Sequence, residues 1–368
     1  MEREPETQNL EPRAQSPEPT AESRAPRAGA APFTIGIIQD AATADVAANL
    51  RNTDRLVREA ANRGAQIICL KELFQSPYFC KSQQVDRFDL AEPIPGPTTE
   101  AVQRLARELE VVIVAPVFER QAAGLYRNSA AIIDADGSLL GVYRKMHIPD
   151  DPLYHEKYYF TPGDAQVVEP TKSQASDPGS RVPSPQSPVP SPESRVPSPE
   201  SPVPSPGTGQ AGGFKVWKTR YATIGVLICW DQWYPEAARI TSLLGAQVLF
   251  YPTAIGWHPA EKAEWGAAQV EAWRTIQRSH AIANGIYVAS PNRIGHEDEP
   301  GTGGITFFGH SFIADPFGRC LAEAGEGEEV LVARCDPALT ETVRRNWPFL
   351  RDRRVDAYGP ILNRYLGA

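Results

Sequence analysis

Short apolar runs alternate with amphipathic segments along most of this chain. Before residue 170, runs rich in Val, Ile and Leu predict strands at 33–39, 66–70, 111–118, 129–134 and 139–143, and helical spacing of apolar residues predicts helices at 44–62 and 98–110. After residue 213, the same signals predict strands at 223–229, 246–251, 286–291, 311–314, 318–322 and 330–335, and helices at 235–244 and 264–283. Strands that alternate with helices, with some hairpins, predict an α/β protein in which a pair of mixed sheets has helices outside.

Two segments interrupt this pattern. Residues 1–32 are rich in Glu, Pro, Arg and Ala, and predict a disordered tail that is not a secretory signal. Residues 170–213 are rich in Pro and Ser and contain a near-repeat starting at Arg181 and Arg195, which predicts an extended, solvated, dispensable loop. The alternative is that this Pro/Ser-rich segment is a ligand for a proline-binding partner. We therefore expect one domain over residues 33–368, interrupted by this insert.

The apolar run that begins at Ala222 ends at Cys229, and Pro235 then opens a helix. This order predicts a thiol at the carboxyl end of a buried strand, where open α/β sheets build their sites. A helix start just beyond the thiol offers N–H groups and a positive dipole end, and both favour a thiolate. Taken alone, Cys229 is also compatible with an ordinary buried core cysteine.

Two other apolar runs end at residues with complementary chemistry. One run ends at Glu72 and another at Lys145, and each is followed by a break in the pattern. Taken singly, Glu72 is equally compatible with a surface carboxylate at a strand end. Lys145 is equally compatible with one member of a solvated basic pair with Arg144. Together and in this order, Glu72, Lys145 and Cys229 resemble the Glu-Lys-Cys triad of the nitrilase, or carbon–nitrogen hydrolase, superfamily. The resemblance covers residues 33–368 apart from the insert.

The resemblance implies a role for each residue. Cys229 attacks a carbonyl carbon to form a thioester, Glu72 acts as general acid and base, and Lys145 stabilises the oxyanion together with the backbone N–H of Trp230. The context of Glu156 resembles the second glutamate of the family, which holds the lysine and positions substrate; an ordinary loop carboxylate is the alternative. The implied fold is a nitrilase-type α-β-β-α four-layer sandwich, whose protomers form homo-oligomers through helices.

The residues beside Cys229 bear on the substrate. The stretch from Cys229 to Tyr234 contains no arginine, so a substrate carboxylate would lack a bidentate partner there. This stretch and several others resemble the N-carbamoylputrescine amidases, which implies hydrolysis of N-carbamoylputrescine to putrescine, CO2 and ammonia. An ω-amidase or other aliphatic amidase is the alternative, and a binding protein that has lost catalysis is a remote one.

One departure from the plant-type amidases concerns the substrate ammonium. Trp257 and His258 stand where those enzymes have a Ser-Glu pair before proline. The sequence therefore predicts substrate contacts from Trp230, Asp231, Trp257 and His258, with a cation–π face from the Trp257 ring. The other acidic residues that would serve in place of the missing glutamate are Glu264, Glu297 and Asp298.

Composition narrows the function classes. The net charge of −8 argues against a nucleic-acid partner and is compatible with a cationic small-molecule substrate. The five cysteines and six histidines are scattered without metal-site spacing, so we expect a reduced cytoplasmic protein with no disulfide framework, no metal and no cofactor. No apolar run approaches the roughly 18 residues of a membrane span.

Overall fold

The computed structural model describes residues 31–151, 154–165 and 208–367. The predictions for the N-terminal tail and for most of the Pro/Ser-rich insert lie outside these residues. The strands are β1 (Phe33–Gln39), β2 (Ile67–Cys69), β3 (Val112–Ala122), β4 (Leu125–Ile133), β5 (Leu139–Arg144), β6 (Thr208–Ala211), β7 (Phe214–Lys218), β8 (Thr223–Val226), β9 (Val248–Phe250), β10 (Gly256–Trp257), β11 (Tyr287–Ser290), β12 (Ile294–Glu297), β13 (Ile305–Phe308), β14 (Phe312–Ala314), β15 (Cys320–Glu323) and β16 (Glu329–Cys335). The α-helices are α1 (Val46–Asn62), α2 (Pro97–Leu109), α3 (Glu156–Tyr159), α4 (Pro235–Leu243), α5 (Lys262–Asn284) and α6 (Pro337–Asn346).

Two large sheets form the centre of the molecule. The first has the strand order β16-β1-β2-β3-β4-β5, and the second has the order β15-β14-β11-β9-β8-β7-β6. Strands β1, β2 and β3 run parallel in the first sheet, and β8, β9 and β11 run parallel in the second. A small sheet of order β10-β13-β12 completes the set. The segments that carry Glu72 and Cys229 leave the carboxyl ends of β2 and β8.

The side chains of β1 show how the layers are held together. Ile35 and Ile37 point into the apolar cluster between the sheets, whereas Ile38 points to the cluster under α1 and α2. This alternation follows from the two-residue period of a strand, and full burial of each such side chain stabilises the fold by about 1.5–3 kcal/mol. Gly36 allows close packing on the helix side, because a Cβ there would lie 2.9 Å from the Ala65 Cβ.

Helices cover the outer faces of both sheets. Helices α1 and α2 pack on the first sheet, and α4 and α5 pack on the second. The layers are therefore α-β-β-α, as predicted. Within the described ranges, no helix has both the length and the apolar character that crossing a bilayer requires.

The structure differs from the sequence prediction mainly in short elements. The predicted strand over 223–229 ends at Val226. Cys229 instead has a φ of +45° and begins a 3-10 turn, so α4 starts six residues after the thiol, at Pro235. Pattern analysis missed β6, β7, β10, β12, β13, α3 and α6, most of which are too short to show a period.

The prediction of a loop over residues 170–213 is wrong at the carboxyl end of that range. Residues Thr208–Ala211 form β6, which pairs antiparallel with β7 in a hairpin through Gly212 and Gly213. Both glycines have positive φ, which such a turn requires. Strand β7 would otherwise present unpaired backbone groups at the sheet edge, and β6 satisfies them.

Two nested deletions test the extent of the dispensable insert. We expect removal of residues 172–205 to leave the melting temperature and activity nearly unchanged, because long loops cost little entropy beyond their first residues. Removal of 172–211 also deletes β6 and should lower the melting temperature by several degrees, since each kcal/mol lost is worth about 2–4 °C. Calorimetry and an ammonia-release assay check both; a large loss with the shorter deletion would show that the insert is required.

Candidate active site

The structure brings Glu72, Lys145 and Glu156 into direct contact. The Lys145 Nζ lies 2.9 Å from the Glu72 Oε1 and 2.7 Å from the Glu156 Oε2. Cys229 faces the same cavity as Glu156, and the charges of all three partners act on its thiol. All four side chains are buried. The four residues selected from the sequence therefore form one cluster.

Two backbone elbows aim the groups of this cluster. Cys229 has a φ of +45°, and its backbone N–H donates to the Pro252 carbonyl at 2.9 Å. Leu73, which follows Glu72, also has a positive φ, of 49°. Such conformations are strained for residues with a Cβ and persist where the surrounding structure imposes them. Trp230 follows at the start of the 3-10 turn, where N–H groups have no partner within the turn.

The carboxylate of Glu72 is held at one oxygen. Its Oε1 accepts from the Lys145 Nζ and from the Asn128 Nδ2 at 2.7 Å. Its Oε2 is buried without a hydrogen-bond partner among the described residues. The second oxygen is therefore the one that can exchange a proton with a neighbouring thiol, amine or water.

Further residues that sequence analysis missed hold this arrangement in place. The Tyr78 hydroxyl donates to the Glu156 Oε1 at 2.7 Å, and the Tyr78 backbone N–H donates to the Glu297 Oε2 at 2.6 Å. The buried Arg293 donates to the Glu72 and Leu73 carbonyls at 3.0 and 2.9 Å. The loop that carries Glu72 is thus fixed by a residue distant in sequence. The only signal for Arg293 in the sequence was that the stretch beginning at Asn292 resembles the corresponding stretch of the family.

The charges within the cluster shift its pKa values. Burial lowers the pKa of Lys145, but the carboxylates of Glu156 and Glu72 outweigh it, and the net pKa is raised. Burial raises the pKa of Glu156 to about 7, although the Lys145 charge opposes this. Lys145 is therefore a permanent cation between two carboxylates, one of which titrates near neutrality.

The thiol contradicts one expectation. Burial, and then the negative charge of Glu72, raises the pKa of Cys229 well above its ordinary value. The prediction that a helix start favours a thiolate here is wrong, because α4 begins too far from Cys229 and the thiol is desolvated. Cys229 rests as a thiol and needs a base to accept its proton.

The raised pKa of Glu156 predicts a pH dependence. We expect kcat/KM to fall as pH drops through about 7, because the cluster of Glu72, Lys145 and Glu156 then takes up a proton and loses a carboxylate charge. Activity is retained above the raised pKa and lost below it. A pH–rate profile of the wild type and of Glu156→Gln checks this; an acidic limb that stays at the same pH in the variant would contradict it.

A cavity of about 680 Å³ opens beside this cluster. It is lined by Tyr78, Pro149, Asp151, Tyr154, Glu156, Cys229, Trp230, Trp233, Ala254, Ile255, Gly256, Glu261, Gln269, Ala272, Ile305 and Phe308. The wall is mostly apolar and aromatic, with carboxylates at a few points. Such a cavity suits a small molecule with an apolar middle and a charged end. Trp230, one of the four predicted substrate contacts, lies on this wall.

The other three predicted substrate contacts do not lie on this wall. Asp231 is fully buried, and its oxygens accept from the Tyr143 hydroxyl and from the backbone N–H groups of Ile228 and His147. Its role is structural, so its assignment as a substrate contact is wrong.

Trp257 and His258 are likewise occupied by protein partners. The Trp257 Nε1 donates to the Gly266 carbonyl at 3.0 Å, and the Lys262 Nζ lies 4.2 Å from the ring centre. The cation–π face predicted for a substrate is thus taken by Lys262. His258 Nε2 lies 3.3 Å from the Thr302 carbonyl.

The acidic residues on the wall are not those proposed from sequence. Glu264 and Asp298 are exposed, and Glu297 is paired with Arg293. Asp151 and Glu261 line the cavity instead. Asp151 belongs to the His147-Ile-Pro-Asp-Asp string, and Glu261 follows closely after Pro259, but neither pattern distinguishes a cavity carboxylate from a surface one.

No group of three or more His, Cys, Asp or Glu side chains is arranged to hold a metal ion in the part of the chain that the structure describes. The cluster itself offers the Cys229 thiol, the Glu72 and Glu156 carboxylates and the Lys145 ammonium. These groups supply a nucleophile, a proton carrier and a fixed positive charge for an oxyanion.

The chain is similar to known carbon-nitrogen hydrolases. The model of the carbon-nitrogen hydrolase family matches residues 34–345. The chain is 44% identical over 334 residues to N-carbamoylputrescine amidase from Solanum lycopersicum, covering 89% of this chain and 94% of that one. It is 37% identical over 337 residues to citrullinase from Francisella tularensis, covering 91% and 100%.

A solved structure is similar over the same range. Carbon-nitrogen hydrolase from Helicobacter pylori superimposes with a TM-score of 0.75 at 39% identity, covering 91% of this chain and 100% of that one. The family match spans both sheets and all four residues of the cluster. This chain is a member of the carbon-nitrogen hydrolase family.

Proposed function

We propose that the protein hydrolyses N-carbamoylputrescine to putrescine, CO2 and ammonia. The observation that carries the proposal is the joint presence, on one cavity, of the thiol of Cys229 and the carboxylates of Asp151 and Glu261. The thiol attacks the ureido carbon, and the carboxylates complement the ammonium tail. Similarity to plant N-carbamoylputrescine amidases supports the same substrate.

The chemistry divides into two steps. The Cys229 sulfur bonds to the ureido carbon as Glu72 takes the thiol proton, and Lys145 with the Trp230 N–H stabilises the oxyanion. The carbon–nitrogen bond to the terminal amide breaks, and Glu72 returns the proton to the departing ammonia. Glu72 then activates water, which releases the thiol and an N-alkyl carbamate. The carbamate decomposes to CO2 and the diamine. Glu156 holds Lys145 and helps to position substrate.

Substrate preference tests this proposal. We expect kcat/KM for N-carbamoylputrescine to exceed that for N-carbamoyl-β-alanine by at least about 10²-fold, because a carboxylate close to the ureido group finds no arginine beside Cys229 and stays unpaired. Ammonia release from the purified enzyme measures both. Faster turnover of N-carbamoyl-β-alanine, or of α-ketoglutaramate as an ω-amidase substrate, would assign a different substrate.

We also propose that the protein is a cytoplasmic homo-oligomer. Apolar side chains that follow α6 are exposed, among them Trp347, Ile361, Leu362, Tyr365 and Leu366. A row of this kind is typical of a surface that another protomer covers. The five cysteines are free thiols, which suits a reducing compartment. Analytical ultracentrifugation that finds only a monomer at micromolar concentration would contradict the oligomer.

A further inference from the structure

Asn128 is a buried amide whose side chain bonds to the proposed base. The residue lies in β4 and is 1% exposed. Its Nδ2 donates to the Glu72 Oε1 at 2.7 Å, whereas its Oδ1 is buried without a hydrogen-bond partner among the described residues. A buried amide with an unpartnered oxygen is costly. Stability alone therefore does not account for this amide, and its contact to Glu72 points to a role in the reaction.

The register of the first sheet places Asn128 beside the cluster. Its backbone carbonyl accepts from the Lys145 N–H at 2.9 Å, and Ser129, the next residue of β4, is paired with Arg144. Side chains of a strand alternate between its faces. The Ser129 hydroxyl accordingly donates to the Glu119 Oε2, at 2.6 Å, and not to the cluster. One strand thus presents an amide to the cluster and a hydroxyl to a carboxylate outside it.

The two carboxylates that contact Lys145 differ in their neutral donors. The Tyr78 hydroxyl, 2.7 Å from the Glu156 Oε1, can either donate or accept a hydrogen bond. The Asn128 Nδ2 can only donate, so the Glu72 oxygen that it contacts is kept as an acceptor. A proton on Glu72 is therefore confined to Oε2, whereas a proton on the Glu156 Oε1 can remain in a hydrogen bond with Tyr78.

We propose that Asn128 is a positioning residue that keeps Glu72 ionised in the resting enzyme and leaves its Oε2 to take the thiol proton of Cys229. A hydrogen bond to the charged form of an acid favours that form. The proton that the cluster takes up near neutrality is then held by Glu156, and the base stays ready. As the Cys229 sulfur bonds to the substrate carbon, its proton moves to the Glu72 Oε2, and the amide keeps its bond to Oε1. This role rests on the proposed chemistry of Glu72 and Cys229, and not on the identity of the substrate.

Loss of the amide should change the pH dependence of the whole cluster. The titratable groups whose charges act together with that of Glu72 are Tyr78 and Cys80 in the segment after it, Lys145 after β5, Glu156 in α3 and Cys229 after β8. These groups titrate as one system, so removal of a donor to Glu72 raises the proton affinity of that system. The activity that is present above the acidic limb is then lost at a higher pH.

The test follows alkylation of Cys229 by iodoacetamide, which needs no substrate. Cys229 rests as a thiol, so its alkylation rate reports how much of the cluster can accept a proton. Full-length wild type, Asn128→Leu and Ser129→Ala are alkylated across the acidic limb, and peptide mass spectrometry gives the rates. In Asn128→Leu, which keeps the size but loses the donor, we expect the limb to move up by at least about one pH unit, in line with loss of a hydrogen bond to a charged group. The limb of Ser129→Ala should stay in place, and the exposed Cys320 should react alike in every sample.

A second variant and a second readout extend the comparison. Asn128→Asp keeps the shape of the side chain and replaces the donor by a third carboxylate, so its limb should move further than that of Asn128→Leu. With N-carbamoylputrescine at neutral pH, kcat of Asn128→Leu should fall by about 10-fold, which corresponds to one pH unit. KM should stay close to the wild-type value, because Asn128 does not line the cavity.

Melting temperatures separate this role from a structural one. Asn128→Leu should melt within a few degrees of wild type, because it also removes the unpartnered oxygen. A folded Asn128→Leu whose limb stays at the wild-type pH would overturn the role of Asn128. Failure of Asn128→Leu to fold, or an equal shift in Ser129→Ala, would assign Asn128 to the stability of the sheet and overturn the role as well. If the alkylation results are as expected but wild type does not hydrolyse N-carbamoylputrescine, the role stands and only the proposed substrate fails.

Discussion

Replacing Cys229 by alanine is expected to abolish turnover. The side chain stands at a strained backbone position that aims it at the cavity, and the thiol in this position is the nucleophile for the proposed thioester. Removing the nucleophile of a comparable covalent mechanism costs about 10⁶-fold in kcat, and we expect a loss of at least about 10⁴-fold here. Ammonia release under single- and multiple-turnover conditions measures the loss.

A matched variant separates this effect from a change in stability. Cys320 is the exposed cysteine of the chain, and Cys320→Ala should retain wild-type kcat. Cys229→Ala removes one buried atom and should keep the melting temperature within a few degrees of wild type. If Cys229→Ala kept more than a few per cent of wild-type kcat, Cys229 would not be the nucleophile.

Replacing Glu72 by glutamine should lower kcat by at least about 10²-fold, in line with losses of a general acid–base group. The raised pKa of Cys229 means that the thiol needs a base, and the second oxygen of Glu72 is buried without a partner among the described residues. Glutamine keeps the shape and the contact to Asn128 but cannot carry a proton. Rapid-mixing kinetics should show that acylation itself is slow.

The same logic predicts strong non-additivity. Cys229→Ala combined with Glu72→Gln should be no less active than Cys229→Ala alone, because the residues act as one unit.

Lys145→Ala should be impaired at least as much as Glu72→Gln, since it removes the cation between two buried carboxylates. Glu264→Gln, on an exposed face, is the control. If Glu72→Gln kept a kcat near that of the wild type, Glu72 would not be the general acid and base.

The sequence was sufficient for the layers and for the four residues of the cluster. Glu72 and Cys229 each follow a short apolar run, which can be recognised because strands that are buried on both faces are continuously apolar. Lys145 follows β5, an edge strand that is only partly buried. The ends of these runs meet across two sheets: β2 and β5 run in the same direction in the first sheet, separated by β3 and β4, and β8 lies in the second sheet. The family resemblance added Glu156, which lies on a helix too short to predict.

The remaining contacts depend on distances that no local pattern encodes. Arg293 holds the carbonyl of Glu72 across 221 positions of the chain, and Tyr78 meets Glu156 across 78. Asp231 was wrongly expected at the substrate, because an acidic residue two positions after the nucleophile looks the same in sequence whether it caps a turn or faces a cavity. Glu261 was missed for the converse reason, because in the sequence it resembles an ordinary surface charge.

The most direct test is the mass of the covalent species that forms during turnover. Wild-type enzyme mixed with N-carbamoylputrescine is quenched in acid within the first turnover, digested, and mapped by mass spectrometry. The account predicts a thiocarbamate adduct that retains the diamine, on the peptide that contains Cys229 and on no other cysteine peptide, and its absence in Cys229→Ala. An adduct on any other cysteine, or rapid turnover with no adduct on Cys229, would contradict it.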